Sequence, residues 1–100
     1  MDVFKMMKQA QQIRSKAKEI EKNLSGQKVE AEVKGVKVTA NAKQEILDIK
    51  IDPALLTQGN SAVEKNVLAA VQEALEKGRD IMAQETKKMM GDTNIGDMFK

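Results

Sequence analysis

The sequence predicts an α+β protein in which a long N-terminal helix, a three-stranded antiparallel meander and a long C-terminal helix follow one another. Two observations predict this order. Apolar residues recur every three or four positions near both ends of the chain, as on one face of a helix, whereas in the middle they alternate with polar residues, as on a half-buried strand. Because the chain has only 100 residues, we expect a single domain over residues 1–90 and a flexible tail over residues 91–100.

The first helix is predicted from an apolar seam whose spacing alternates between three and four residues. This heptad pattern is typical of a helix that packs along another helix. Ser25 and Gly26 are expected to end the helix, since glycine tolerates the left-handed conformation that often follows one. The seam comprises Val3, Met6, Ala10, Ile13, Ala17, Ile20 and Leu24.

Three strands are predicted from the alternating pattern that follows. Only Lys34 and Gly35 separate the first two strands, a spacing that favours a tight antiparallel hairpin. Pro53 marks the end of the third strand, because proline cannot donate to a ladder of hydrogen bonds. The positions expected to face the interior are Val29, Ala31, Val33, Val36, Val38, Ala40, Leu47, Ile49 and Ile51.

The second long helix is predicted to begin at Ser61, after a loop over residues 55–60, and to end near Gly91. Ser61 and Glu64 have the spacing of a capping box, in which two side chains satisfy free backbone donors. Gly78 interrupts the helical pattern. It either allows a close approach to another backbone or marks a bend.

The composition argues against catalysis. The chain contains no His and no Cys, so the commonest general base, the thiol nucleophile and the usual transition-metal ligands are all absent. Asp48 and Asp52 supply too few oxygens for a calcium site, and no nucleotide-binding fingerprint occurs. We therefore expect a protein that is not an enzyme and that has no metal, cofactor or small-molecule substrate.

The interior is thin, because the chain has no Trp or Tyr and only two Phe. We expect a second copy of the chain to supply the missing buried surface, which makes a homodimer. No apolar run is long enough to span a bilayer or to serve as a secretory signal. The expected location is the cytoplasm, with no membrane partner.

The positive charge is concentrated in the first helix. Residues 1–24 carry six Lys or Arg against three acids, whereas the net charge of the whole chain is only +2. Five of the six lie between residues 3 and 18, a stretch without any acid, and they are Lys5, Lys8, Arg14, Lys16 and Lys18. Such a cluster is either a solvated face or a site for a polyanion, a membrane surface or a protein partner.

Among these alternatives the residues favour a polyanion. A dimer would present two such arrays, and each neutralised phosphate of a nucleic acid releases counterions. A membrane surface is disfavoured because the apolar stripe is narrow, rich in alanine and has only Phe4 as an aromatic residue. A protein adaptor that docks through the seam stays open, although it gives no reason for the charge. Few arginines and few aromatic residues favour contacts with a duplex backbone and weak sequence preference.

Four segments of the chain resemble the YbaB/EbfC family of bacterial nucleoid-associated proteins. They are MKQAQQ at residues 7–12, GVKVT at residues 35–39, IDPALL at residues 51–56 and LAAV at residues 68–71. The resemblance spans residues 3–90. It implies a homodimer whose long helices project from a central body of strands and hold double-stranded DNA at the nucleoid, with a possible role in nucleoid organisation and gene regulation. It also implies further DNA contacts on the last helix, from Lys77, Arg79, Lys87 and Lys88.

Overall fold

A computed structural model describes residues 2–92 of the chain and confirms the predicted order of elements. The part of the predicted tail from residue 93 onward lies outside the described residues. Between the sheet and the last helix the structure adds a short helix, α2, where the sequence predicted a loop. The elements are α1 (Val3–Gly26), β1 (Lys28–Val33), β2 (Val36–Asn41), β3 (Ile46–Ile51), α2 (Pro53–Leu56) and α3 (Asn60–Asp92).

The three strands form one antiparallel sheet in the order β1-β2-β3. The predicted hairpin is present: Val33 pairs with Val36, and the turn residues Lys34 and Gly35 both have positive φ, of 43° and 92°. Positive φ at both central positions is the geometry that matches the right-handed twist of the strands. The β2–β3 ladder contains an irregularity between Thr39 and Ala40.

The core lies between one face of the sheet and α3. α3 packs across β1 and β2, and small residues at Ala70 and Ala74 are fully buried at this contact. The closest approach is at Gly78, where a Cβ atom would lie only 2.6 Å from the backbone oxygen of Asn41. Of the two roles predicted for Gly78, the structure therefore shows the close approach, and α3 runs through this position without interruption.

The prediction that Leu47, Ile49 and Ile51 face the interior is wrong for the single chain. They are 47%, 43% and 37% exposed. Ile49 and Ile51 do lie on the core side of the sheet, because they pair with the buried Val38 and Val36. However, α3 lies over β1 and β2, so the core face of β3 is left without a cover.

Two helix ends also differ from the prediction. α1 continues through Gly26, which keeps a right-handed backbone, and the cap is Gln27, whose N–H donates to the backbone oxygen of Leu24. α3 begins at Asn60, so Ser61 lies inside its first turn and not at the cap. Gly59, directly before α3, has a positive φ, and its carbonyl accepts from the backbone N–H of Val63.

The molecule is elongated, with principal extents of 69 × 21 × 18 Å. α1 accounts for much of this length, since its 24 residues span about 36 Å at a rise of 1.5 Å per residue. It touches the rest of the chain only near its C-terminal end, where Leu24 is buried. α1 is therefore an arm that leaves the body, and residues 20–27 are its root.

Candidate nucleic-acid interface

The arm exposes its side chains on all sides. Every residue from 2 to 19 is exposed, Ile20 is half-buried, and Leu24 is the one residue of the arm that is fully buried. Asp2 caps the helix, because its carboxylate accepts from the backbone N–H of Lys5. An arm that buries so little has almost no packing of its own with the body.

The outer part of the predicted apolar seam has no partner within the described part of the chain. Val3, Met6 and Ile13 are 63%, 57% and 62% exposed, whereas at the root Ile20 is half-buried and Leu24 is buried. The seam thus contributes almost nothing to the fold of the single chain. That it packs against another helix stays a prediction, and these exposed residues are a surface on which a partner could pack.

The five predicted basic residues of the arm are exposed, and they lie on the two flanks of the seam and opposite it. At 100° per residue, Lys5 and Lys16 fall on one flank, Arg14 and Lys18 on the other, and Lys8 between them. Among the side chains that the structure describes, two ion pairs occur, between Lys37 and Glu30 and between Lys77 and Glu73, and neither involves α1. The five cations of the arm therefore form no ion pair with a described carboxylate.

Polar side chains lie among these cations. A shallow depression along the arm is lined by Gln11, Gln12, Ser15 and Glu19 together with two of the lysines, Lys8 and Lys16. Amides, hydroxyls and ammonium groups are the side-chain donors that commonly contact phosphate oxygens. Glu19 is the one acid at this surface, and it lies at the end nearest the body.

The four basic residues predicted on α3 differ in their surroundings. The ammonium of Lys77 donates to the backbone oxygen of Glu30 at 2.9 Å and lies 3.7 Å from the carboxylate of Glu73. Lys77 is therefore held against β1. Arg79 and Lys87 border a shallow apolar depression on α3 that also includes Met82, and Lys88 is exposed.

A group of polar residues at the root of the arm was missed by the sequence argument. Asn41 is 2% exposed, and its side chain donates to the backbone oxygen of Ser25 and to the carboxylate of Glu45. On α3, Glu85 accepts from Asn23 of α1 and from Gln27, the residue that caps α1. Nothing in the sequence separates Glu85 from a solvated acid, because its partners lie 58 and 62 positions away along the chain.

The described residues offer little for other kinds of site. No group of three or more potential metal ligands occurs between residues 2 and 92. Asp52, one of the two acids considered for a cation, instead caps α2 by accepting from the backbone N–H of Ala54 at 3.0 Å. Within the same range, no helix combines the length and the apolar character that crossing a membrane requires.

Comparison with known proteins gives a consistent picture. The model of the YbaB/EbfC DNA-binding family matches residues 1–93. A nucleoid-associated protein of Thermoanaerobacter sp. (strain X514) is 37% identical over 101 residues, which cover 98% of this chain and 91% of the relative. A nucleoid-associated protein of Chlorobium phaeobacteroides (strain BS1) is 39% identical over 98 residues, covering 95% and 87%.

A solved structure shares the fold. An uncharacterized protein from Helicobacter pylori superposes with a TM-score of 0.75 over 90% of this chain and 98% of that chain, at 16% sequence identity. At this identity the likeness concerns the fold alone.

Proposed function

The chain belongs to the YbaB/EbfC DNA-binding family, and we propose that it binds double-stranded DNA as a homodimer through its projecting arms, with weak sequence preference and without enzymatic activity. The observation that carries this proposal is the arm itself. It combines five exposed cations with a shape that can reach beyond the body of the protein. The expected place of action is the nucleoid, with which its relatives are associated by name, and hence the cytoplasm. The expected role is in nucleoid organisation and gene regulation.

Phosphate contacts account best for the charges on the arm. The cations are mainly lysines, which act as point charges and do not read base edges by paired hydrogen bonds. Of the basic residues proposed for the interface, only Arg14 and Arg79 can make the two-pronged contact that recognises guanine. The proposed contacts to phosphate come from Lys5, Lys8, Arg14, Lys16 and Lys18, with Arg79, Lys87 and Lys88 as further candidates.

The homodimer rests on two apolar surfaces that the single chain leaves uncovered. One is the core-side strip of β3, where Ile49 and Ile51 are about as exposed as surface residues. The other is the seam of the arm. A second copy that covers both would supply the buried apolar area that this thin core lacks, at a gain of about 25 cal/mol per Å².

The experiment that tests DNA binding is a titration of an unrelated duplex at several salt concentrations. If about four to six phosphates are neutralised per dimer, log K should fall against log salt with a slope of about −4 to −5. A slope near zero would contradict the proposal.

Charge reversal on the arm tests the assigned surface. The double substitution Lys16→Glu and Lys18→Glu should abolish duplex binding while the dimer persists, since both side chains are exposed and neither belongs to the seam. A matched control is Lys50→Glu with Lys65→Glu, which changes the net charge equally at exposed positions away from the arm. Equal effects of the two double substitutions would mean that net charge and not the arm governs binding.

The exposed seam also favours a second candidate function. A helix-mediated adaptor would use Val3, Met6 and Ile13 to dock another protein. The affinity of such an adaptor for its protein partner should depend little on salt and should not change on charge reversal at Lys16 and Lys18. The titration therefore separates the two functions.

A further inference from the structure

Three polar side chains join the root of the arm to α3. The carboxylate of Glu85 accepts from Asn23 Nδ2 through Oε2 and from Gln27 Nε2 through Oε1, both at 3.1 Å. The second N–H of Gln27 donates to Asn23 Oδ1 at 3.2 Å. These hydrogen bonds close a ring, which we call the clasp, made of Asn23, Gln27 and Glu85.

The other hydrogen bonds between α1 and the body reach only the last turn of the helix. The backbone N–H of Ala42 donates to the carbonyl of Leu24, and the amide of Asn41 donates to the carbonyl of Ser25. Both bonds lie in the last turn of α1 and hold it to the end of β2. Between the root of the arm and α3, the two bonds to Glu85 are the only side-chain hydrogen bonds among the described side chains.

The direction of the arm has a large effect at its tip. Val3 lies 20 residues before Asn23, about 30 Å along the helix axis, so a tilt of about 10° at the root would move the tip by about 5 Å. An ammonium and a phosphate pair only within about 4 Å. A small change at the root is therefore enough to break the outermost contacts.

We propose that the clasp fixes the direction in which α1 leaves the body, and that Asn23, Gln27 and Glu85 are thereby positioning residues for DNA binding. The part that concerns DNA rests on the proposed function. The clasp also explains why an acid lies close to a basic arm, because the carboxylate of Glu85 accepts hydrogen bonds from two neutral amides. Each oxygen takes one bond, so an uncharged side chain of the same size cannot replace it.

The position of the arm can be measured directly, because the chain contains no cysteine. Nitroxide labels on Gln11→Cys and Gln58→Cys would report the distance from the arm to the body, in labelled protein diluted with unlabelled protein. We expect a narrow distribution in the parent protein. We expect a broadened distribution, or one shifted by about 5 Å, after Glu85→Gln and after Asn23→Ala combined with Gln27→Ala.

A matched control is Gln12→Ala, which removes an exposed amide from the same helix outside the clasp. Its distance distribution should equal that of the parent. Distributions that stay unchanged in both clasp variants would overturn the proposal.

DNA binding supplies a second readout. The substitutions Asn23→Ala and Gln27→Ala leave the net charge unchanged, so they separate positioning from electrostatics. We expect a rise in Kd of about tenfold, because an arm without a fixed direction must be ordered on binding. The salt slope should stay the same, because the same cations meet the phosphates.

An unchanged Kd in variants with a mobile arm would overturn the role of the clasp in DNA binding. Parent protein that binds no duplex would refute the proposed function instead, and the label distances would still decide whether the clasp holds the arm.

Discussion

Replacing Gly78 by alanine tests how closely α3 packs on the sheet. A Cβ atom at this position would lie 2.6 Å from the backbone oxygen of Asn41, whereas real Cβ contacts below 3.0 Å essentially never occur. The backbone oxygen of Asn41 cannot move away freely. The same oxygen accepts from the N–H of Gln44 at 3.0 Å, and the N–H of Asn41 donates to Glu45 at 3.1 Å. The helix and the end of β2 must therefore separate.

Two opposing effects set the magnitude. Overpacking of this kind typically costs about 1–3 kcal/mol, whereas alanine favours a helix over glycine by about 1 kcal/mol. The upper half of the first range applies here, because the added atom meets backbone and not a flexible side chain. We therefore expect Gly78→Ala to lower the free energy of unfolding by about 1–2 kcal/mol.

The assay is urea unfolding followed by far-UV circular dichroism, at one chain concentration because a dimer's stability depends on it. Gly26→Ala is the matched control, since Gly26 is also helical and a Cβ there would meet nothing within 4 Å. It should leave stability unchanged or raise it by up to about 1 kcal/mol. A Gly78→Ala protein as stable as the parent would refute the described packing of α3.

Two further substitutions test the dimer surface and the interface. Ile49→Asp should convert the dimer to a folded monomer, because Ile49 is 43% exposed in the single chain and a charge there would disturb only the proposed dimer contact; the measurement is the sedimentation mass. The control is Leu68→Asp on α3, a residue that is 58% exposed, and this variant should stay dimeric. Lys77→Ala should change duplex affinity by less than about twofold, because its ammonium already contacts Glu30 and Glu73. If the affinity instead falls by as much as the loss of one phosphate contact would cause, Lys77 must leave the body when DNA binds.

The sequence predicted those features that depend on local order. Burial alternates along β1 and β2 at Val29, Ala31, Val36 and Val38 as the period of two requires. The hairpin was predictable as well, because a two-residue connection that contains Gly35 permits few turn geometries. The positive charge of the arm could also be predicted from the sequence, since all five cations lie within sixteen consecutive residues.

What depends on the placement of one element over another could not be predicted. The pattern of β3 gives its core side but not that α3 stops short of it, which leaves Ile49 and Ile51 exposed. Lys77 looks like any other lysine until β1 brings the carbonyl of Glu30 to it. The clasp joins residues 58 and 62 positions apart, a separation at which the spacing of residues carries no signal.

The exposure of the arm links the dimer to the proposed function. Isolated helices are marginal in water unless an apolar face packs, yet α1 buries only Leu24 in the single chain. Its outer turns therefore require a packing partner, and the apolar seam is the side on which a partner would pack. A partner packed on Val3, Met6 and Ile13 would stabilise the helix and also leave its flanks and its opposite side, which carry the cations, turned outward. The same contact that keeps the arm folded would thus decide which side meets the phosphates, so a loss of the dimer should weaken DNA binding even when every cation is present.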